Sequence, residues 1–152
     1  MNIALSAIDQ AYIKFGEQSG IDWNYILTRD VTFKFPKKSI PCEFINQWLW
    51  MRMLDGNLVC TVFKGYAWDG PTVVPDVDGT TRESVIHDAI YQFVEEIMLV
   101  FNWSMFKILH LADLLFFAAM AQSDANTVIK YTYFWGVCVA GYSFHVLAKL
   151  FK

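Results

Sequence analysis

The sequence predicts an α+β fold in which an N-terminal antiparallel β-sheet (hairpin or meander) precedes three C-terminal helices, and three observations predict it. Apolar and polar residues alternate through Val31, Phe33 and Phe35, the period of a half-buried strand, and two largely apolar stretches flank the turn residues Asp55-Gly56-Asn57 as in a hairpin. A stretch rich in glycine, proline and aspartate runs from Gly65 to Gly79. Beyond it the apolar residues recur at helical spacing. With 55% hydrophobic and only 18% charged residues, the chain carries enough apolar bulk for one core, so residues 1–152 read as a single domain.

Taken in order, residues 1–22 hold Ile3, Leu5, Ile8, Tyr12 and Phe15 on roughly one helical face that ends near Gly16, which predicts an N-terminal helix or ordered arm. Residues 23–64 form the β-sheet region. Its first strand carries Tyr25, Leu27, Val31, Phe33 and Phe35 and stops at Pro36. Trp48 to Leu54 and Leu58 to Phe63 are the arms of a hairpin with a glycine-containing turn. Residues 65–80 are a motif loop, which must run over the surface. Residues 81–152 are helical. Thr80 and Glu83 have capping-box spacing for a helix from about Thr81 to Leu99. Asn102 or Ser104 caps the next, which carries Phe106, Leu109, Ala112, Phe116 and Met120, and Ser123 to Asn126 breaks it before a final apolar segment.

Composition narrows the function. Twelve basic against 15 acidic residues, without a Lys/Arg block, argue against nucleic acid as a partner. Cys42, Cys60 and Cys138 are scattered, with no C-x-x-C pair, and read as buried or free thiols. The N-terminus lacks a basic region followed by a long apolar run, so no Sec signal is evident and synthesis in the cytoplasm is expected. From Tyr131 to Ala148 no residue is formally charged, but Gly136, Gly141, Ser143 and His145 interrupt the segment. A packed or interfacial helix is expected there ahead of a membrane span.

One cluster looks like more than scaffold. His87 and Tyr91, at i and i+4, share a helix face, and Asp88 looks out from its flank. Asp113 sits amid Leu111, Ala112, Leu114, Leu115, Phe116 and Phe117, where an unpaired buried carboxylate would cost several kcal/mol. Asp113 therefore needs solvent or a partner. Packed as antiparallel neighbours, the two helices bring it level with His87 and Tyr91. If Asp113 accepts from one ring nitrogen and Tyr91 supports the same carboxylate, the other nitrogen is left as a general base that activates water. Asp69 and Asp88, with backbone carbonyls near Gly65 and Gly70, would suit a hard cation, calcium rather than zinc. The same residues also read as architecture: Asp69-Gly70 a turn, His87 a core histidine, Asp88 a solvated helix acid. His110 and His145 read as structural, with His110 an alternative partner for Asp113. Asp76 and Asp78 are turn residues, because the acidic closing residue of a calcium loop is missing.

At Gly65-Tyr66-Ala67-Trp68-Asp69-Gly70-Pro71-Thr72, His87-Asp88-Ala89-Ile90-Tyr91 and Ala112-Asp113-Leu114-Leu115-Phe116 the sequence resembles a family of small phage and prophage proteins of unassigned function. The same order of motifs is similar, more distantly, to the calcium-dependent phospholipase A2 superfamily. That resemblance implies His87 as the base, Asp113 as its partner, Tyr91 as a support for Asp113, and Asp69 and Asp88 as calcium ligands.

Three functions follow as expectations. The first is a calcium-dependent, phospholipase A2-like esterase acting on membrane lipid through a His-Asp dyad. The second is a virion or assembly component, of tail or baseplate, whose partners are other phage structural proteins and in which the cluster is a buried strut. The third is a membrane-associated accessory protein anchored by residues 131–148.

Overall fold

A computed structural model describes residues 12–14, 25–69, 81–122, 128, 131, 132 and 134–136. The expectations at Thr80, Gly70, Pro71, Asp76, Asp78, Cys138 and His145, and over most of residues 1–22 and 137–152, lie outside the described residues.

The α+β layout is observed: strands come first and helices follow. The larger sheet is built from β3 (Val31–Pro36), β4 (Phe44–Ile45), β5 (Leu49–Leu54) and β6 (Asn57–Val62), in the order β3-β6-β5-β4 and antiparallel throughout. Its centre is the β5–β6 hairpin. Leu54 pairs with Asn57 across a two-residue turn in which Asp55 and Gly56 both take positive φ, 50° and 72°, the backbone that matches the twist of the flanking strands. Register puts the apolar set on one face. Val31, Phe33 and Phe35 lie opposite Val62, Cys60 and Leu58, and Leu49 and Met51 lie opposite Val62 and Cys60, all of them buried. On the other face of β3, Thr32 and Lys34 are exposed, and the Thr32 and Thr61 hydroxyls meet at 2.9 Å.

The smaller sheet runs β1 (Tyr12–Lys14), β2 (Tyr25–Leu27), β7 (Ala67–Trp68), also antiparallel. Three expectations change here, the first being that Ala67–Trp68, read as part of a surface loop, is a strand, with Tyr66 beside it and Trp68 within it both buried. Tyr12–Lys14, read as part of a helix or arm, is a strand, because Tyr12 and Ile13 pair with Leu27 and Ile26 and that ladder outweighs a weak helical pattern. The stretch from Tyr25 to Pro36, read as one strand, is two strands in different sheets, separated by a bend at residues 28–30.

The helices are α1 (Thr81–Gln92), α2 (Val94–Phe101) and α3 (Met105–Ala121), and they lie on the apolar face of the larger sheet, α3 against β3, α1 against β6 and α2 against β4. The single helix expected from Thr81 to Leu99 is thus two. Phe93 leaves helical geometry (φ −102°, ψ 20°) and is buried, although its amide still bonds to Ala89 and its carbonyl to the amide of Ile97. Bending at this residue lets Val94, Ile97 and Phe101 stay in the core as the chain turns over β4. Asn102, in the left-handed region, ends α2, and the Ser104 hydroxyl caps α3 by accepting from the Lys107 amide. α2 and α3 meet at 113°, and among the described residues no single helix is long and apolar enough to cross a membrane. Val128, Tyr131, Thr132 and residues 134–136 are helical, with Phe134 half-buried against Phe117 and both Tyr131 and Trp135 exposed.

The two faces of β3 should respond differently to truncation. Phe35→Ala, which empties a fully buried site, is expected to cost about 3–5 kcal/mol, and Thr32→Ala less than about 1 kcal/mol, read from urea denaturation. Equal losses would contradict the register.

Candidate functional site

The site is assembled where the start of the motif loop crosses α1 and α1 packs against α3. Gly65 turns the chain after β6 with φ 89°, and a side chain there would press on the Trp48 ring. Its amide donates to Leu27, whose own amide donates to the Tyr66 carbonyl, and this pairing carries the chain into β7. Tyr66 and Trp68 then fix the strand along α1. The Tyr66 hydroxyl donates to Gln92 (2.9 Å) near the end of the helix, and the Trp68 indole N–H donates to the Ser84 hydroxyl (3.2 Å) near its start. Trp68 is buried and stacks on Tyr25. Asp69 follows at once, beside the middle of α1, where its charge reaches both Asp88 and Tyr66.

His87 occupies the junction. Its Nε2 lies 3.1 Å from Asp113 Oδ1, and the Tyr91 hydroxyl donates to the same oxygen at 3.0 Å. His87, Tyr91 and Asp113 therefore meet as the spacing predicts. The second ring nitrogen is not left free: Nδ1 faces Asp88 Oδ1 at 3.0 Å. The ring also packs on Tyr91 (4.2 Å between centroids) and Phe116 (5.6 Å). His87 and Asp113 have side chains only 10% and 8% exposed, whereas Asp88 is 25% exposed, so Asp88 is the open side of the triad. His110, the alternative partner, instead lies parallel to the Phe106 ring.

The electrostatics follow from this enclosure. Burial opposes a charged imidazole, but the hydrogen bonds it donates to Asp113 and Asp88, together with the charges of those carboxylates, outweigh it and raise the pKa of His87 to about 9. Asp88 is raised by burial first and by Asp69 further, with His87 pulling the other way. Burial, then Asp88 and Asp69, also hold the Tyr66 phenol protonated. Glu83, in the first turn of α1, is raised by burial, and among the described residues its Oε2 has no hydrogen-bond partner. Cys42 and Cys60 are free thiols, the second kept protonated by burial.

Asp69 and Asp88 are the oxygen donors that sequence spacing proposes for a cation. Among the described residues, no group of three or more His, Cys, Asp or Glu is arranged to hold a metal. Sequence reasoning missed the Asp88–Nδ1 contact, the Tyr66–Gln92 and Trp68–Ser84 ties, and an apolar groove beside the site. The groove, of about 360 Å³, is bounded by Tyr91 and Asp113, by Phe106 and His110, and by Phe134 and Trp135. The signal for its α3 wall was present in the i, i+4, i+7 spacing of Phe106, His110 and Asp113.

No family model matches the chain, and no curated protein or solved structure matches it either.

The raised pKa makes stability depend on pH with a definite sign. A folded-state value of about 9 above the ordinary 6.5 means that the protonated ring stabilises the fold fully below pH 6.5 and that this is lost as pH rises through 9. The loss should be on the order of 3 kcal/mol. Urea midpoints of the wild type should fall across that window, and those of His87→Gln should change much less. A flat wild-type profile would mean that the ring is not held as a cation.

Proposed function

We propose that the chain is a phage-related lipid esterase of the phospholipase A2 kind, with His87 as the base that activates water. The observation that carries this reading is the convergence of His87 Nε2 and the Tyr91 hydroxyl on Asp113 Oδ1, which fixes the ring and turns Nδ1 toward the less buried side. Nδ1 would take a proton from water as the water oxygen bonds to the ester carbonyl carbon. Asp113 would hold the resulting imidazolium, and the same proton would then pass to the departing alkoxide, leaving a carboxylic acid and an alcohol. For this, Asp88 must leave Nδ1, which both admits water and removes one of the contacts that keep the ring protonated up to about pH 9.

Asp69 and Asp88 fit an oxygen-seeking cation such as calcium. They are two neighbouring carboxylates, and the charge of the first already makes the second harder to ionise, a repulsion that a cation would relieve. A bound cation would supply electrostatic stabilisation of the negative charge that develops on the carbonyl oxygen. Asp88 would serve twice, as a ligand and as the group whose departure exposes the base.

The second reading, a non-catalytic virion or assembly component of tail or baseplate, is favoured by one observation: both ring nitrogens of His87 are engaged by carboxylates, as in a strut.

The two readings separate on chelator-treated protein given phospholipid vesicles with and without calcium. An esterase should release fatty acid only with calcium, at a rate that rises with pH toward 9. His87→Gln and Asp88→Asn should each lower that rate by about 100-fold or more. No release by the wild type at any calcium concentration, together with a large loss of stability in His87→Gln, would establish the strut.

A further inference from the structure

The groove beside the site has a composition that selects its ligand. Phe106, Tyr91, Phe134 and Trp135 contribute aromatic rings, Leu109 an aliphatic side chain, His110 an imidazole that lies parallel to the Phe106 ring, and Asp113 a carboxylate. Both hydrogen bonds to Asp113 fall on Oδ1. Among the described residues Oδ2 receives none, and it is not one of the fully enclosed polar atoms that lack a partner. A purely apolar chain would leave that oxygen without a partner. Asp113 is the acidic side chain on the groove wall and would disfavour an anion, although His87 offsets part of its charge through Oδ1. A small inorganic cation needs several oxygen donors to replace its water, and this wall offers one carboxylate. A quaternary ammonium meets every condition. Its charge is spread over methyl groups, it is weakly hydrated, and it is attracted to ring faces and to a single carboxylate.

We propose that this groove binds a quaternary-ammonium group, the cation of choline and of choline lipids. Phe106 and Trp135 are 60% and 64% exposed, so they form the rim that a ligand arriving from solvent meets first. The deeper contacts are Tyr91 and Asp113, which ties occupancy of the groove to the His87 cluster through a shared carboxylate. Binding here requires no turnover by His87, so the proposal goes beyond the esterase reading and survives its failure.

The test is calorimetric titration of the full chain with choline and with 3,3-dimethylbutanol, its uncharged isostere. Choline should bind in the millimolar range and the isostere distinctly more weakly. Trp135→Ala and Phe106→Ala, exposed positions whose folding is checked by circular dichroism, should each weaken choline by about 2- to 30-fold. Equal binding of the two compounds, no choline binding at tens of millimolar, or variants that bind like the wild type would each overturn the proposal. Vesicles of phosphatidylcholine and phosphatidylglycerol with the same acyl chains then identify the source. Preference for phosphatidylcholine assigns the site to a lipid head group, and choline binding without that preference assigns it to a soluble quaternary amine.

Discussion

The hydrogen bond between Asp113 and His87 is the constraint on which the other features of the helical layer depend. A carboxylate facing the interior of α3 costs several kcal/mol unless something pairs with it, and nothing on α3 itself does so. The partner comes from α1, which fixes the level at which the two helices pack and brings Tyr91 onto the same oxygen. Ile86 and Ile90 on α1 and Leu109, Ala112 and Phe116 on α3 are buried, and Phe116 packs on the His87 ring. Removing either partner would leave the other with one hydrogen bond fewer in a buried place, Asp113 keeping only Tyr91 or His87 keeping only Asp88, which costs more than the bond contributes when made.

Pairing across α1 and α3 also decides the state of the ring. Enclosure alone would favour a neutral imidazole. Two carboxylates, one on each nitrogen, reverse that balance, because a doubly donating ring satisfies both acids at once. The consequence is an arrangement with one fixed carboxylate and one displaceable carboxylate. Asp113 and Tyr91 are fixed by burial and by each other, whereas Asp88 is held by the ring and repelled by Asp69. Any chemistry at His87 must begin on the Asp88 side, and any ligand of the groove approaches from the Asp113 side.

Much of this was legible in the sequence, for physical reasons. Alternation in Val31–Phe35 and the Asp55-Gly56 turn determine strands and register locally, and both are observed. The meeting of His87, Tyr91 and Asp113 followed from an i, i+4 pair on one helix and a carboxylate stranded among apolar residues on another. What was not legible depends on tertiary contacts. The bend at Phe93 arises because α2 must follow the sheet to β4, and no proline or glycine announces it. Tyr12–Lys14 is a strand because β2 offers it an edge. Asp88 turning back to Nδ1 is a side-chain choice between solvent and a neighbouring ring, which spacing does not encode. The positioning of Asp69 relies on the Tyr66 and Trp68 hydrogen bonds to α1, between partners far apart in the chain.

The central claim is that His87 is a cation shared by Asp88 and Asp113, and nitrogen-detected NMR of the histidine ring tests it most directly. With the resonances assigned through His87→Gln, both ring nitrogens should show the imidazolium pattern at neutral pH and lose it only near pH 9. In Asp113→Asn the titration should move down toward the ordinary histidine range. A wild-type ring already neutral at pH 7, with a single tautomer and a titration at or below the ordinary value, would contradict the account.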